Sequence, residues 1–284
     1  MESAVLAGLT IGITAQRRAD EQVRMFEARG ATTLVGASLS LSPAGDDPAL
    51  RDVTEQLIAD PPDYLLASTG YGMRAWLAAA DGWGRRQALL EALGRARVAN
   101  RGAKAASADT AAGLDEWWRA PGERFDELVD RLLVESLAGT RVAISLHGSR
   151  LPQSVARLGA AGATVIEVDA YRASLPDDPA PAHVLIEAAC SSALAAVTFT
   201  TAPSVHNLFA LAETTGHGDA LREACNRSVV VACVGPVCAE GAREEGVADP
   251  LVPARSRLVP LVDALTARLA EDAGRQRTPP ESRG

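Results

Sequence analysis

The chain has 284 residues and a net charge of −8 at pH 7, because 36 acidic residues outnumber 28 basic ones. This acidic balance argues against a nucleic-acid partner, which would require a broad basic surface. The longest apolar runs, such as residues 229–234, are far shorter than the roughly 20 residues that span a bilayer. Since no signal peptide is evident either, the sequence predicts a soluble cytoplasmic protein with no membrane partner.

The predicted elements occur twice, because residues 6–114 recur in the same order at residues 137–247. The offset between the two copies stays between 131 and 133 residues, which chance identities between alanine-rich segments would not maintain. The matching landmarks are Leu6-Ala7-Gly8 with Leu137-Ala138-Gly139, Gly30 with Gly162, Ser68-Thr69 with Thr200-Thr201, Gly102 with Gly235, and Gly113 with Gly246. The repeat predicts two similar units, and a cleft between such units is the first place to look for a ligand.

Strands and helices alternate in both copies. The predicted strands are residues 9–14, 32–36, 64–69 and 97–99 in the first copy and residues 141–146, 164–168, 196–201 and 229–234 in the second. Helical spacing of apolar residues follows the first strand of each copy and stops at Gly30 and Gly162, where a helix C-cap is expected. The alternation indicates a parallel α/β fold with right-handed crossovers. Residues 41–48 and 175–181 are interpreted as connections between units, and residues 273–284 as a disordered tail.

Five loops at the predicted carboxyl ends of strands are candidate ligand sites, because helix N-termini present free backbone N–H groups there. They are residues 14–18, 68–72, 101–105, 200–204 and 235–239. Their small and hydroxylated residues suit carboxylates or phosphates. The hydroxyl pairs Ser68-Thr69 and Thr200-Thr201 are alternatively explained as N-caps of the following helices, and the two interpretations are compatible. In the loop from Arg101 to Lys104, an arginine and the only lysine of the chain flank a glycine, although solvated surface charge is the alternative interpretation.

Other residue types give fewer indications of function. The cysteines and histidines show no metal-ligand spacing, so we expect no metal. His147 and His206 are interpreted as ordinary loop histidines, and Ser149 and Ser204 lack the sequence pattern of a hydrolase nucleophile. Tyr171 is placed at the end of the second strand of its copy, where it is either a packed aromatic or a phenol that exchanges a proton in an interdomain cleft.

The order and spacing of these motifs resemble the uroporphyrinogen-III synthase family over nearly all of residues 6–265. The motifs that carry the resemblance are Ile13-Thr14 with Arg17 and Arg18, Ala67-Ser68-Thr69, Arg101-Gly102-Ala103-Lys104-Ala105-Ala106, Val168-Asp169-Ala170-Tyr171-Arg172, Phe199-Thr200-Thr201, and Gly235-Pro236-Val237-Cys238-Ala239. The family commonly has threonine in the two glycine turns, at the positions where this chain has Ala105 and Cys238.

The resemblance implies two similar parallel-sheet α/β/α domains, joined by a two-stranded connection, with the active-site cleft between them. The implied domains are residues 1–38 with 174–272, the inserted residues 39–173, and the tail 273–284. The implied reaction closes the linear tetrapyrrole hydroxymethylbilane into uroporphyrinogen III, with loss of water and inversion of ring D. It uses no metal or organic cofactor, and we expect the enzyme to act as a monomer.

The resemblance also assigns roles to single residues. Tyr171 matches the hinge tyrosine of the family and is the expected proton donor near the leaving group. The expected substrate-binding residues are Thr14, Arg17, Arg18, Ser68, Thr69, Arg101, Gly102, Lys104, Arg172, Thr200, Thr201, Ser204, Gly235, Pro236, Cys238 and Ala239. One alternative is a family member that senses tetrapyrroles or other polycarboxylates without catalysis. A third interpretation is a periplasmic-type binding protein, against which the missing signal peptide counts.

Overall fold

The computed structural model of the chain describes residues 4–45, 47–148 and 150–277 and confirms the predicted α/β class with parallel sheets. The chain forms two compact units. Unit 1 comprises the described residues up to Ser40 and from Ser174 onward, and unit 2 comprises Leu41–Ala173. Within the described residues, no helix combines the length and the apolar character that crossing a bilayer requires.

In chain order, the elements are β1 (Thr10–Ile13), α1 (Ala19–Glu27), β2 (Thr32–Val35), β3 (Ser40–Pro43), α2 (Pro48–Ala59), β4 (Tyr64–Ala67), α3 (Gly70–Gly82), α4 (Arg86–Leu93), β5 (Arg97–Asn100), α5 (Ala103–Ala111), β6 (Glu116–Arg119), α6 (Phe125–Leu133), β7 (Arg141–Ser145), α7 (Pro152–Ala160), β8 (Thr164–Val168), β9 (Tyr171–Ser174), α8 (Ala180–Cys190), β10 (Ala196–Phe199), α9 (Ala202–Thr214), α10 (Gly218–Arg227), β11 (Val230–Cys233), α11 (Pro236–Glu244) and α12 (Leu258–Arg277).

Both units contain a parallel sheet, and four strands of each sheet follow the same order. The order is β11-β10-β1-β2 in unit 1 and β6-β5-β4-β7-β8 in unit 2. The first copy of the repeat contributes β1, β2, β4 and β5, and the second contributes β7, β8, β10 and β11. Each unit therefore takes two strands from each copy. Strand β6 extends the sheet of unit 2, and the sequence pattern does not predict it.

Side chains of the unit 2 strands alternate between the two faces of the sheet, and helices cover both faces. On β4, Leu65 joins a core that contains Trp76 of α3, whereas Leu66 joins the core around Leu128 of α6. Every residue of β4 is buried, which explains why the strand is a continuous apolar run in the sequence. Unit 1 has its own core, which contains Phe26 and Phe199.

Gly30 and Gly162 end their helices in the same way, as the sequence predicts. Their φ angles are positive, +88° and +92° respectively. The Gly162 N–H donates to the Gly159 carbonyl at 2.9 Å, and the Ala163 N–H donates to the Leu158 carbonyl at 3.2 Å, which is the Schellman pattern. The same pair of bonds follows α1 in the first copy. The turn ends each helix and leads the chain into β2 or β8.

The predicted position of Tyr171 is wrong by one strand. Strand β8 stops at Val168, and Tyr171 begins the separate strand β9. The reason is that the chain leaves the sheet after β8, so that the Ala170 carbonyl accepts a hydrogen bond from the Ala44 N–H at 3.0 Å. Strand β9 pairs with β3 in a two-stranded sheet, and β3 occupies part of the segment that is predicted as a plain connection.

The carboxyl-terminal helix is longer than the sequence predicts. Residues 273–277, assigned to a disordered tail by their composition, continue α12. Arg275 forms an ion pair with Asp272, three residues earlier, at 3.0 Å, and pairs at this spacing favour the helix. Residues 278–284 of the predicted tail lie outside the described residues.

Candidate functional site

Polar side chains meet at the carboxyl end of the unit 2 sheet. Ser68 and Thr69 follow β4, Arg101 follows β5, and Ser145 is the last residue of β7. These three strands are parallel and adjacent in the sheet, so the segments after them begin at one edge. Tyr171 of β9 reaches the same edge through a contact with Thr69, whose hydroxyl lies 3.3 Å from the phenol oxygen.

Thr69 is both a helix cap and a member of this cluster. Its Oγ1 accepts a hydrogen bond from the Gly72 N–H at 3.0 Å and so caps α3. A hydroxyl that accepts from the backbone keeps its own proton for donation. The Thr69 hydroxyl can therefore donate to the Tyr171 oxygen, which leaves the phenol proton free for a ligand. The two interpretations of the hydroxyl pair, capping and ligand binding, are compatible here.

The Tyr171 phenol is buried, with 4% of its surface exposed. Its ring packs edge-on against Tyr71, with the ring centroids 4.8 Å apart at an angle of 76°. Burial raises the pKa of Tyr171, whereas the hydrogen bond from Thr69 and the positive charge of Arg101 lower it. The net shift is upward, so the phenol is protonated at neutral pH and can act as a proton donor.

Arg101 supplies the positive charge of the cluster. Its partial burial lowers the pKa of the guanidinium, and the nearby Tyr171 and Glu123 raise it. His147, two residues after β7, is neutral, because burial and then the charge of Arg101 lower its pKa to about 4. The site therefore combines a fixed cation with a neutral imidazole and several hydroxyls.

Three buried atoms in this region have no hydrogen-bond partner among the described residues: Ser68 Oγ, Ser145 Oγ and His147 Nδ1. Buried polar atoms are nearly always paired, so such a group is expected where a ligand or water supplies the missing bonds. Ser145 and His147 were not among the predicted site residues. The repeat could have identified Ser145, since it occupies the position of Thr14 in the first copy.

The predicted charged loop lies beside the hydroxyls, because helices α3 and α5 begin side by side. A Cβ on Gly70, the first residue of α3, would collide with the backbone carbonyl of Lys104. Gly102 is the N-cap of α5, and its open side faces the Glu123 carboxylate. Lys104 is exposed in the first turn of α5, where its charge can reach a ligand at the helix N-terminus.

Arg172 is positioned differently from its neighbour Tyr171. Its guanidinium forms an ion pair with Asp47 at 2.7 Å, and 70% of the side chain is exposed. An exposed pair of this kind contributes little to stability. The structure thus assigns Arg172 a partner within unit 2, and the predicted contact with substrate would have to compete with Asp47.

The predicted hydroxyl residues of unit 1 form hydrogen bonds within that unit. The buried Thr14 hydroxyl donates to the Thr198 carbonyl at 2.8 Å. Thr201 caps α9 by accepting from the Ser204 N–H at 3.3 Å, and the Ser204 hydroxyl donates to the Thr201 carbonyl at 2.7 Å. Thr200 is half-buried at the end of the same sheet. Three of these four hydroxyls therefore have a hydrogen-bond partner within unit 1, and the Thr201 hydroxyl, which accepts as Thr69 does, keeps its proton for donation.

The remaining predicted residues of unit 1 also follow parallel strands. Arg17 and Arg18 precede α1, and Arg18 pairs with Glu21 at 2.5 Å. Gly235 is the N-cap of α11, and Pro236 is exposed as its first residue.

Two residues of the α11 turn have covered side chains. Cys238 and Ala239 are buried, and the neighbouring Cys238 thiol and burial raise the pKa of the Cys233 thiol. Substrate binding at these two positions stays a prediction, and a contact there would have to come from the backbone. Ala105, at the matching turn of unit 2, is buried as well.

The part of the chain that the structure describes contains no cluster of side chains that could bind a metal ion. None of its histidine, cysteine and carboxylate side chains form a cluster of three or more that could hold an ion, and all four cysteines are free thiols. His206 contacts Glu245 at 2.7 Å on the surface of unit 1. Ser149 lies outside the described residues.

The fold and the site define a class of two-unit parallel α/β proteins with hydroxyl-rich strand ends. The family model described as uroporphyrinogen-III synthase HemD matches residues 20–263 of the chain. The chain therefore belongs to the uroporphyrinogen-III synthase family, as the sequence motifs indicate.

The chain is similar to two solved structures and to one uncharacterised protein. A mutant uroporphyrinogen III synthase from the extremely thermophilic bacterium Thermus thermophilus has 30% identity and a TM-score of 0.73, and the match covers 93% of this chain and 99% of that one. The uroporphyrinogen-III synthetase of Helicobacter pylori 26695, at 10% identity and a TM-score of 0.52 over 92% and 99% of the chains, shows the shared fold alone. The uncharacterised protein YjjA of Bacillus subtilis (strain 168) is 27% identical, over 89% of this chain and 93% of its own.

Proposed function

We propose that the chain is an active uroporphyrinogen-III synthase that closes hydroxymethylbilane into uroporphyrinogen III, with loss of water and inversion of ring D. The observation that carries the proposal is the pairing of the buried Tyr171 phenol with the Thr69 hydroxyl at 3.3 Å, beside the charge of Arg101. This arrangement supplies a proton donor, a group that orients it, and a cation that stabilises the phenolate.

The first chemical step breaks the bond between the hydroxymethyl carbon and its oxygen. Tyr171 donates its phenolic proton to that oxygen, which leaves as water. The lone pair of the pyrrole nitrogen stabilises the positive charge that the carbon acquires. The products are an azafulvenium cation and a phenolate near Arg101. The cation then forms a carbon–carbon bond to the substituted α-carbon of ring D, and the bond from that carbon to its original methylene bridge breaks. This methylene rejoins ring D at the free α-carbon, which inverts the ring, and the proton lost from that carbon restores the phenol. Holding the two ends of a flexible chain together can supply several kcal/mol of the barrier.

The substrate carries eight carboxylates, and unit 2 offers suitable groups for some of them. The N-termini of α3 and α5 lie side by side, and helix N-termini favour anions. Lys104 and Arg101 add positive charge at the same strand ends, and the unpaired Ser68 hydroxyl is available to donate. A contribution of the unit 1 loops to substrate binding stays part of the proposal.

The missing threonines at positions 105 and 238 are the argument for a non-catalytic sensor. Both side chains are buried in this structure, with 1% and 3% of their surface exposed. The burial of these positions does not distinguish catalysis from sensing, because Ser145 and Tyr171 are buried to a similar degree. The isomer composition of the product is therefore the observation that separates the two alternatives.

The test is to supply hydroxymethylbilane to the purified protein and to separate the isomers I and III of the product. We expect isomer III to dominate, at a rate proportional to protein concentration. Isomer I alone, formed at the rate of the protein-free control, would reject the proposal. In that case, tight binding of a tetrapyrrole measured by titration would favour the sensor alternative.

A further inference from the structure

Gly72 leaves a gap among three polar side chains of unit 2. It is buried near the start of α3. A Cβ at this position would lie 3.1 Å from Thr69 Oγ1, 3.2 Å from Ser145 Oγ, and 3.2 Å from the Cε1 ring carbon of Tyr171. A side chain rarely tolerates three contacts that close. Glycine is therefore the residue that lets these three groups converge, and its open side presents them together to an approaching atom.

Among Thr69, Ser145 and Tyr171, only Ser145 has a side chain without a hydrogen bond to another described residue. Thr69 Oγ1 caps α3 and contacts the Tyr171 phenol. The Ser145 hydroxyl is buried and has no partner among the described residues. A buried hydroxyl without a hydrogen-bond partner destabilises the protein unless a ligand or water supplies the missing hydrogen bond. Ser145 is thus able both to donate and to accept a hydrogen bond at this point.

The repeat provides an internal comparison in unit 1. By strand register, Thr14 is the counterpart of Ser145, and Ser204 is the counterpart of Gly72 after the capping threonine. In unit 1, the Thr14 hydroxyl donates to a strand carbonyl. Ser204 carries a side chain where unit 2 has Gly72, and its hydroxyl donates to the Thr201 carbonyl. The open, unsatisfied arrangement is therefore specific to unit 2 and does not follow from the shared fold.

We propose that Ser145 contacts the substrate, and that its hydroxyl binds the oxygen of the hydroxymethyl group as this oxygen leaves as water. The inference rests on the proposed function, because it assigns a further residue to the same step. The Tyr171 proton moves to the leaving oxygen, the carbon–oxygen bond breaks, and Ser145 keeps its own proton while it orients that oxygen. Gly72 determines whether the oxygen fits beside the three side chains.

The test compares Ser145→Ala, Gly72→Ala and Thr54→Val with the wild type, using kcat, the fraction of isomer III and the melting temperature. Ser145→Ala is expected to lower kcat about 10-fold, without a loss of melting temperature because it removes an unpaired hydroxyl. Gly72→Ala retains Ser145 and adds a good helix former, yet it is expected to lower kcat by a similar factor because it fills the gap.

Thr54→Val is the matched control, since its buried hydroxyl is fully bonded. Thr54 donates to the Leu50 carbonyl at 2.6 Å and accepts from the Trp76 Nε1–H at 2.8 Å. We expect a lower melting temperature and an unchanged kcat. If the wild type forms isomer III and Ser145→Ala keeps the wild-type kcat, the role of Ser145 is rejected while the proposed function stands. If the wild type forms no isomer III, the proposed function fails, and this role fails with it.

Discussion

Tyr171 is the residue on which the proposed chemistry depends most. Burial raises the pKa of its phenol, and Thr69 and Arg101 oppose that rise, so the donor is protonated at neutral pH. We expect Tyr171→Phe to lower kcat about 10- to 100-fold, at the low end of general-acid effects, because hydroxyl departure from a pyrrole carbinol is intrinsically easy. The wild-type kcat is expected to fall as alkaline pH ionises the phenol, whereas the variant lacks this decline.

Tyr64→Phe is the control for this experiment, because Tyr64 lies at the opposite, amino end of β4 in the same unit. It should keep both kcat and the alkaline decline of the wild type. A kcat of Tyr171→Phe that equals the wild-type value throughout the pH range would exclude proton donation by Tyr171.

Lys104 tests whether the N-terminus of α5 binds substrate carboxylates. We expect Lys104→Ala to weaken the binding of uroporphyrin III about 3- to 5-fold in fluorescence titrations at low salt, as for an exposed ion pair. Tyr171→Phe should change this affinity less, and added salt should reduce the effect of Lys104→Ala. The matched control is Arg95→Ala, which removes an exposed positive charge before β5, at the other end of the same strand. Equal affinities for the wild type and Lys104→Ala would remove this loop from the site.

At the residue scale, the sequence predicted which hydroxyl residues lie at strand ends. It could not predict which of these hydroxyls form hydrogen bonds within the protein. Ser68 and Thr69 could be found because they close an apolar run before a helix. Whether a hydroxyl is satisfied depends on distant backbone, as when Thr14 donates to the Thr198 carbonyl, 184 residues away. For the same reason, the lowered pKa of His147, which arises from burial and from Arg101, could not be derived from its place in the sequence.

At the element scale, the helix-ending glycines make a quantitative prediction. Gly162 has a φ of +92°, and a Cβ there would lie 3.0 Å from the Ala138 Cα. We expect Gly162→Ala to lower the free energy of unfolding by about 1–2 kcal/mol, measured by urea denaturation. Gly159→Ala, three residues earlier within α7, meets no atom within 4 Å and should stabilise by up to about 1 kcal/mol. Similar free energies for the two variants would contradict the Schellman assignment.

Helix α5 also contains a buried acid that makes stability depend on pH. Burial and, to a smaller extent, the charge of Glu116 raise the pKa of Asp109 to about 7, although the Asn100 side chain opposes the rise. A raised pKa in the folded state means that the stabilising contribution is complete below the ordinary pKa and is lost as pH rises through about 7. We expect Asp109→Asn to raise the melting temperature at about pH 8.5, with a gain that shrinks toward about pH 5.

The control for the pH effect is Asp115→Asn, at an exposed position just beyond the same helix. Its melting temperature should follow that of the wild type at both pH values. An Asp109→Asn difference that stays constant with pH would contradict the titration of Asp109 near neutrality.

At the scale of the whole molecule, the repeat explains why much of the fold could be predicted. Buried parallel strands are continuous apolar runs, so the class and eight of the strands follow from periodicity and the offset between copies. Strands β3, β6 and β9 lack a continuous buried run, because most of their residues are half-buried or exposed. Local pattern therefore could not separate them from loops, and Tyr171 was placed in the wrong strand for this reason.

The repeat also shows that the two units are not equivalent in chemistry. Unit 1 satisfies the hydroxyls of Thr14 and Ser204 internally, whereas unit 2 combines Gly72 with the unpaired Ser145 and the Tyr171 phenol. The two units thus share their strand order. Among the described residues, the cluster of Thr69, Ser145 and Tyr171 around a glycine occurs in unit 2, and the matching positions of unit 1 are bonded internally.

The most direct measurement is the isomer composition of the tetrapyrrole that forms when the purified wild-type chain receives hydroxymethylbilane. Isomer III in excess, with a rate that rises in proportion to protein concentration, is the predicted result. Isomer I alone, at a rate that does not change with protein concentration, would contradict the assignment of this chain as an active synthase.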